Sequence, residues 1–266
     1  MRKLRRIIRR FIAEWRIRKR REDVRRSIEI ELKTSVNFVR SGSRGSDSIY
    51  HVLSNTNKKL AVLRLINPHR KHKIIPSEMP YRLIKGEERI ERELTCYKLG
   101  ADSNLTPEPL WNTKDALLCK YNSGRPILDL LLDGSLTSVE VLDNGWAALK
   151  QLHELGISHM DASVQNLLYC FDNKQRCLVD FEFGPAEELN FDTQCLYDYL
   201  RYLESMLKFV DTAACEQIAE YISSSEVISF SNTENNCVER LKPALERLSR
   251  SEILWPVITN TREIVE

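Results

Sequence analysis

The chain predicts an α+β fold in two parts, an antiparallel-sheet lobe over residues 33–121 and a mainly helical lobe over 122–266, behind a basic amphipathic helix at 1–32. Three observations carry that expectation. Short runs rich in Val, Ile and Leu, separated by Gly, Ser and Asn, crowd the region before Tyr121. After Asn122-Ser123-Gly124-Arg125-Pro126 the apolar spacing lengthens to that of helices. The first 26 residues hold 13 Lys and Arg against 3 Asp and Glu.

Composition bounds the classes. The 266 residues, 42% hydrophobic and 29% charged, are enough to bury a sizeable core. The net charge of +2 divides into +10 for residues 1–26 and −8 for the other 240, so bulk charge does not point to nucleic acid and none is expected as a partner. Seven cysteines without a C-x-x-C pair indicate neither a zinc site nor a disulfide framework, but reduced thiols in a cytosolic protein. No apolar run approaches the roughly 20 residues of a spanning helix, and the start of the chain lacks the apolar core of a secretion signal. The expected location is cytoplasmic, on the inner face of the membrane if the basic segment binds lipid.

Leu4, Ile7, Ile8, Phe11, Ile12 and Trp15 recur at helical spacing on one stripe, with Arg and Lys over the rest of the surface. Such a helix either lies on an anionic membrane surface through residues 1–26 or packs its stripe on the folded domain; RNA binding ranks behind both. Strands are expected at Thr34–Arg40, Ile49–Leu53 and Leu60–Leu65. Between the first two, Gly42, Ser43 and Gly45 form a turn whose backbone N–H groups suit phosphate oxygens. Asn67–Lys85 reads as a solvated connector and Gly86–Leu99 as a helix burying Ile90, Leu94 and Tyr97. Two short strands follow, Leu110–Thr113 and Ala116–Tyr121. Thr137 and Glu140 make a capping box for a helix reaching about Leu155, with Val141, Trp146, Leu149, Leu152 and His153 inward, and Gly156 ends it. Leu167–Cys170 and Cys177–Val179 read as a hairpin. Helices are expected at Gln194–Phe209, Thr212–Ile222 and Cys237–Leu248, with a polar loop over Ser223–Asn236.

The chemistry concentrates in His159-Met160-Asp161-Ala162-Ser163-Val164-Gln165-Asn166, with Asp180-Phe181 beginning fourteen residues after Asn166. Phosphoryl transfer needs a positioned acceptor hydroxyl and neutralised phosphate charge, and little covalent help. One carboxylate can take the hydroxyl proton, while an amide and a second carboxylate supply the hard oxygens that Mg²⁺ prefers. The hairpin would bring Asn166 and Asp180 to adjacent strand ends. Upstream, Arg64 on the third strand could pair with Glu93 or Glu91 on the following helix.

From about residue 34 to 210 the order of these parts resembles the protein-kinase-like superfamily, and Leu152-His153-x-x-Gly156-Ile157-x-His159-x-Asp161 is most similar to bacterial atypical kinases: lipopolysaccharide core sugar kinases, aminoglycoside and choline phosphotransferases, and RIO-like enzymes. The resemblance implies a bilobal protein-kinase-like fold with ATP and Mg²⁺ as cofactors. Asp161 would be the catalytic base, Asn166 and Asp180 the metal ligands, Arg64 the phosphate cation and Glu93 its partner. Cys119 to Asn122, with Lys120 and Asn122 toward the nucleotide, would be the hinge that holds adenine, and His159 would support the loop. Departures narrow the class. Met160 stands where many protein kinases carry Arg, Glu182 replaces the Gly of D-F-G, and no A-P-E motif follows at the usual distance. An enzyme phosphorylating a small molecule or a lipid-linked sugar, such as a lipopolysaccharide core, fits better than a conventional protein kinase. A pseudokinase that only binds, favoured by Arg64 and Glu182, and a RIO-like protein kinase are the alternatives.

Overall fold

The computed structural model describes residues 2–41, 47–70, 74–224 and 235–260. The fold is mixed α+β, an antiparallel sheet with several helices. It divides into two compact units, one built from residues 1–74, 85–102 and 107–122, the other from 75–84, 103–106 and 123–266.

The first unit opens with two helices, α1 (Arg2–Arg16) and α2 (Arg18–Leu32), where the sequence predicts one; they meet at Ile17. Lys33 ends α2 in a left-handed conformation, its N–H bonded to Glu29 O and Ile30 O. Strands β1 (Val36–Ser41), β2 (Ser48–Ser54) and β3 (Lys59–Leu65) follow. The chain leaves for β4 (Tyr81–Leu83), which belongs to the other unit, and returns with α3 (Gly86–Ala101), β5 (Pro109–Thr113) and β6 (Ala116–Lys120). The sheet is antiparallel throughout, in the order β1-β2-β3-β6-β5. Strand alternation decides its two faces. Tyr50, Val52, Ala61, Leu63, Leu65 and Leu118 form a core with Ile17, Val24 and Ile28 of the first two helices. Arg64, in register between Ile49 and Leu117, is one step out of that pattern and reaches α3 instead.

The connector after β3, expected to be solvated, is anchored at its start and exposed over Ser77 and Glu78. Asn67 is fully buried, its amide bonded to Ser48 Oγ (3.0 Å) and Ala13 O (3.3 Å), and Arg70 is buried with its guanidinium on Asp47 O. Farther along, β4 pairs antiparallel with β10 (Phe183–Pro185). Neither contact has a local sequence signal, because both depend on partners far along the chain.

In the second unit, β7 (Arg125–Pro126) leads into a short helix that the sequence does not announce, α4 (Ile127–Leu132). The Thr137–Glu140 capping box opens α5 (Ser138–Glu154), which buries Val141, Trp146, Leu149 and Leu152. The hairpin is β8 (Leu167–Cys170) and β9 (Gln175–Leu178), with β7 at its edge. Next, α6 (Phe191–Met206) begins three residues earlier than predicted, because Asn190 Oδ1 accepts the Thr193 N–H and caps it. Gly145 lets α5 and α6 approach closely. A Cβ there would fall 2.1 Å from the Tyr202 ring, whose hydroxyl donates to Val141 O at 3.1 Å. Helix α7 (Thr212–Ser224) follows. The predicted helix over Cys237–Leu248 is broken into α8 (Asn235–Leu241), a 3₁₀ turn at Lys242–Ala244 and α9 (Glu246–Ser249), because Pro243 cannot continue an α-helix. Last comes α10 (Leu254–Asn260). Most of the predicted loop Ser223–Asn236 lies outside the described residues. All seven cysteines are free thiols.

Candidate active site

The loop after α5 is built by backbone contacts. Gly156 takes φ +74°, the left-handed turn that lets Ile157 and Ser158 lead inward to His159. His159 is fully buried. Its Nε2–H donates to Val179 O at 3.1 Å, and its ring stacks on Phe181 with centroids 4.4 Å apart. The N–H groups of His159 and Met160 both donate to the carboxylate of Asp198, at 2.6 and 2.7 Å. Asp198 is fully buried on α6 and also meets His153 Nε2 at 3.1 Å.

These contacts bring the loop to the exit of the hairpin. Val179 N–H donates to Asn166 O at 2.9 Å, and Asn166 Nδ2 donates to Asp161 O at 3.1 Å. Asp161, Asn166 and Asp180 therefore share one locality in the second unit. Met160 (φ +65°) and Asp180 (φ +73°) are both left-handed, which costs an ordinary residue roughly 1–2 kcal/mol. Strain of this kind persists where surrounding contacts over-determine the backbone, as Asp198 does at Met160.

The Asp161 carboxylate accepts from Arg201 at 2.9 Å and stays 28% exposed. Burial pushes its pKa above the ordinary carboxylate range; Arg201 and His159 pull the other way, and Asp180 adds to the rise. Tyr197 lies in the same surroundings, with a buried hydroxyl that has no hydrogen-bond partner among the described residues. No group of three or more His, Cys, Asp or Glu among the described residues could hold a metal. Asn166 and Asp180 offer two oxygens, a donor set suited to an ion like Mg²⁺ that keeps waters and takes phosphate oxygens as its other ligands.

The first unit holds a second polar cluster. Arg64 Nε lies 2.7 Å from Glu93 Oε2, and one of its terminal nitrogens lies 3.2 Å from Asp47. Glu93 also accepts from the Tyr97 hydroxyl at 2.7 Å. Asp47 is the hub: its other oxygen takes the buried Arg89 at 2.5 Å, and its carbonyl takes Arg70. Arg64 keeps only 13% of its side chain exposed.

The remaining predicted positions are less built. Lys120 points outward to Glu108 (2.9 Å); its N–H is bonded to Glu108 O and that of Tyr121 to Leu60 O, so neither is available to a nucleobase. Asn122 follows the end of β6. Gly42, Ser43 and Gly45 lie outside the described residues. Sequence reasoning missed Asp47, Arg89, Asp198 and Arg201. The only sequence signal for the last two is their spacing of three on an amphipathic helix, which puts both on one side.

No protein-family model matches the chain, and no curated protein matches it in sequence.

Proposed function

We propose that the chain is an ATP- and Mg²⁺-dependent phosphotransferase acting on a hydroxyl of a non-protein acceptor, a small molecule or a lipid-linked sugar, and that its two units are the lobes of a protein-kinase-like fold. One observation carries the reading. Asp161, Asn166 and Asp180 are held in one locality by backbone bonds through His159, Val179 and Asp198, on a strained loop. Asp161 takes the proton of the acceptor hydroxyl as that oxygen bonds the γ-phosphorus and the bond to ADP breaks. Arg201 orients that carboxylate and, against the effect of burial, favours its ionised form. Asn166 and Asp180 would hold Mg²⁺, which would neutralise charge on the phosphates.

The test is nucleotide titration with and without Mg²⁺, followed by slow ATP hydrolysis. Nucleotide binding is expected to need the metal and to lose that dependence in Asp180→Ala. Asp161→Ala should lower turnover by about 10²–10⁴-fold while leaving nucleotide binding in place. Full activity in Asp180→Ala, or no nucleotide binding by the unaltered chain, overturns the assignment. Phosphate appearing on protein instead of sugar or lipid extracts would move the acceptor class to a RIO-like protein kinase.

A pseudokinase reading has one observation in its favour: Arg64 already faces two carboxylates, Asp47 and Glu93, so much of its charge is met within the chain. Metal-dependent binding without turnover would select it.

A further inference from the structure

Helix α1 divides its surface in an unusual way. Ala13 and Glu14 are buried, as is Ile17 just past its end. Glu14 accepts from Ser48 Oγ and Tyr50 Oη, both at 2.5 Å, and Ala13 O accepts from the Asn67 amide. These contacts moor the helix to the first unit by its polar side. The apolar stripe is left outside: Ile7, Ile8, Phe11, Ile12 and Trp15 are between 43% and 71% exposed. Of the two uses the sequence allows for this stripe, packing on the folded domain is not the arrangement found.

Charge says what covers it. The helix carries seven Lys and Arg and one acid, and that acid is Glu14, turned inward. Arg9 and Arg16 are exposed and, at 100° per residue, follow the stripe on its solvent side. Arg18 extends the edge with its guanidinium 4.1 Å from the Trp15 ring centroid. An exposed apolar face bordered by cations with no outward acid matches a surface that is apolar below and anionic above. Nucleic acid would use the arginines and leave five large apolar side chains in water. A protein groove would use the stripe without asking for cations along its border. No helix among the described residues is long and apolar enough to cross a membrane, so this one can lie on it only.

We infer that α1 docks the first unit onto the surface of an anionic phospholipid bilayer, Phe11 and Trp15 entering the acyl boundary and the flanking arginines meeting phosphate headgroups. The inference does not depend on phosphoryl transfer. Because Glu14 fixes the helix to the sheet, docking also sets the orientation of that unit on the membrane.

Flotation of the full chain with vesicles tests it, phosphatidylglycerol mixed with phosphatidylcholine against phosphatidylcholine alone. The chain should float with the anionic vesicles and be released by high salt. Phe11→Asp with Trp15→Asp, and separately Arg9→Glu with Arg16→Glu, should each weaken partitioning by about tenfold or more. Both leave Glu14 in place, so thermal unfolding should be unchanged. If the aspartates melted α1, the arginine pair, which keeps the stripe intact, would still decide. The inference fails if the chain floats with neither vesicle, or if both variants float as the unaltered chain does. It also fails if the aspartates turn a self-associating chain into a monomer with no vesicle binding at any stage, which would assign the stripe to a second copy.

Discussion

The Asp47–Arg64 cluster and the Asp161 loop are both charged and both enclosed, yet they are built on opposite plans. In the first unit, side chains hold side chains. The Asp47 carboxylate gathers Arg64 and Arg89, and Glu93 takes Arg64 and Tyr97. In the second unit, the backbone does the holding: Asp198 grips two main-chain N–H groups, and Asp161 is left with Arg201 and an accessible tip. Mutual ion pairing makes the first cluster a stability element, since a buried charge that loses its partner is expensive. Backbone clamping leaves the Asp161 carboxylate without structural duty, so it should be alterable with little cost to the fold.

The sharpest way to break this contrast is Asp47→Ala. It takes a carboxylate away from the fully buried Arg89 and from Arg64, and should cost about 3–5 kcal/mol in urea unfolding with an unchanged slope. A loss below about 1 kcal/mol would mean that the arginines find water, and the contrast would not hold. Gly145→Ala comes next. Its new methyl group meets Tyr202 on α6, the helix that bears Asp198 and Arg201, so overpacking of about 1–3 kcal/mol should arrive together with reduced turnover. Trimming Tyr202 to Leu in the same chain should recover part of both, a coupling that a double-mutant cycle reads.

The smallest effect is also the most diagnostic. Burial raises the Asp161 pKa in the folded chain, so the fold prefers the protonated form. The stability this adds is complete below the unfolded-state value and is lost as pH rises through the folded one. At neutral pH the ionised group is therefore a burden. Asp161→Asn should match or slightly exceed the unaltered chain in melting temperature at neutral pH, with the difference vanishing below about pH 4, while turnover is lost. A clear drop in melting temperature at neutral pH would show that Asp161 is structural after all.

Local pattern made the elements legible, and partners at a distance did not show. The capping box at Thr137, the hairpin around Asp172-Asn173-Lys174 and the α1 periodicity are each written within a few neighbouring residues, and the elements stand where that grammar puts them. Arg70 reads as a solvated cation because nothing nearby in sequence reveals Asp47, 23 residues away, and the pairing of Asp47 with Arg89 spans 42 residues. Asp198 is silent for a related reason: two of its partners are backbone N–H groups, which carry no letter, and the third, His153, lies 45 residues away. For Arg64 the sequence offers Glu93 as a partner, but nothing in it points to Asp47 as a second carboxylate.

Asp198 and Arg201 occupy adjacent rungs of one helical ladder, the first gripping the amides before Asp161 and the second its carboxylate. A small roll of α6 would loosen both grips in a single stroke. Whatever leans on that rod, from solvent or from its neighbours, would reach the loop without touching it.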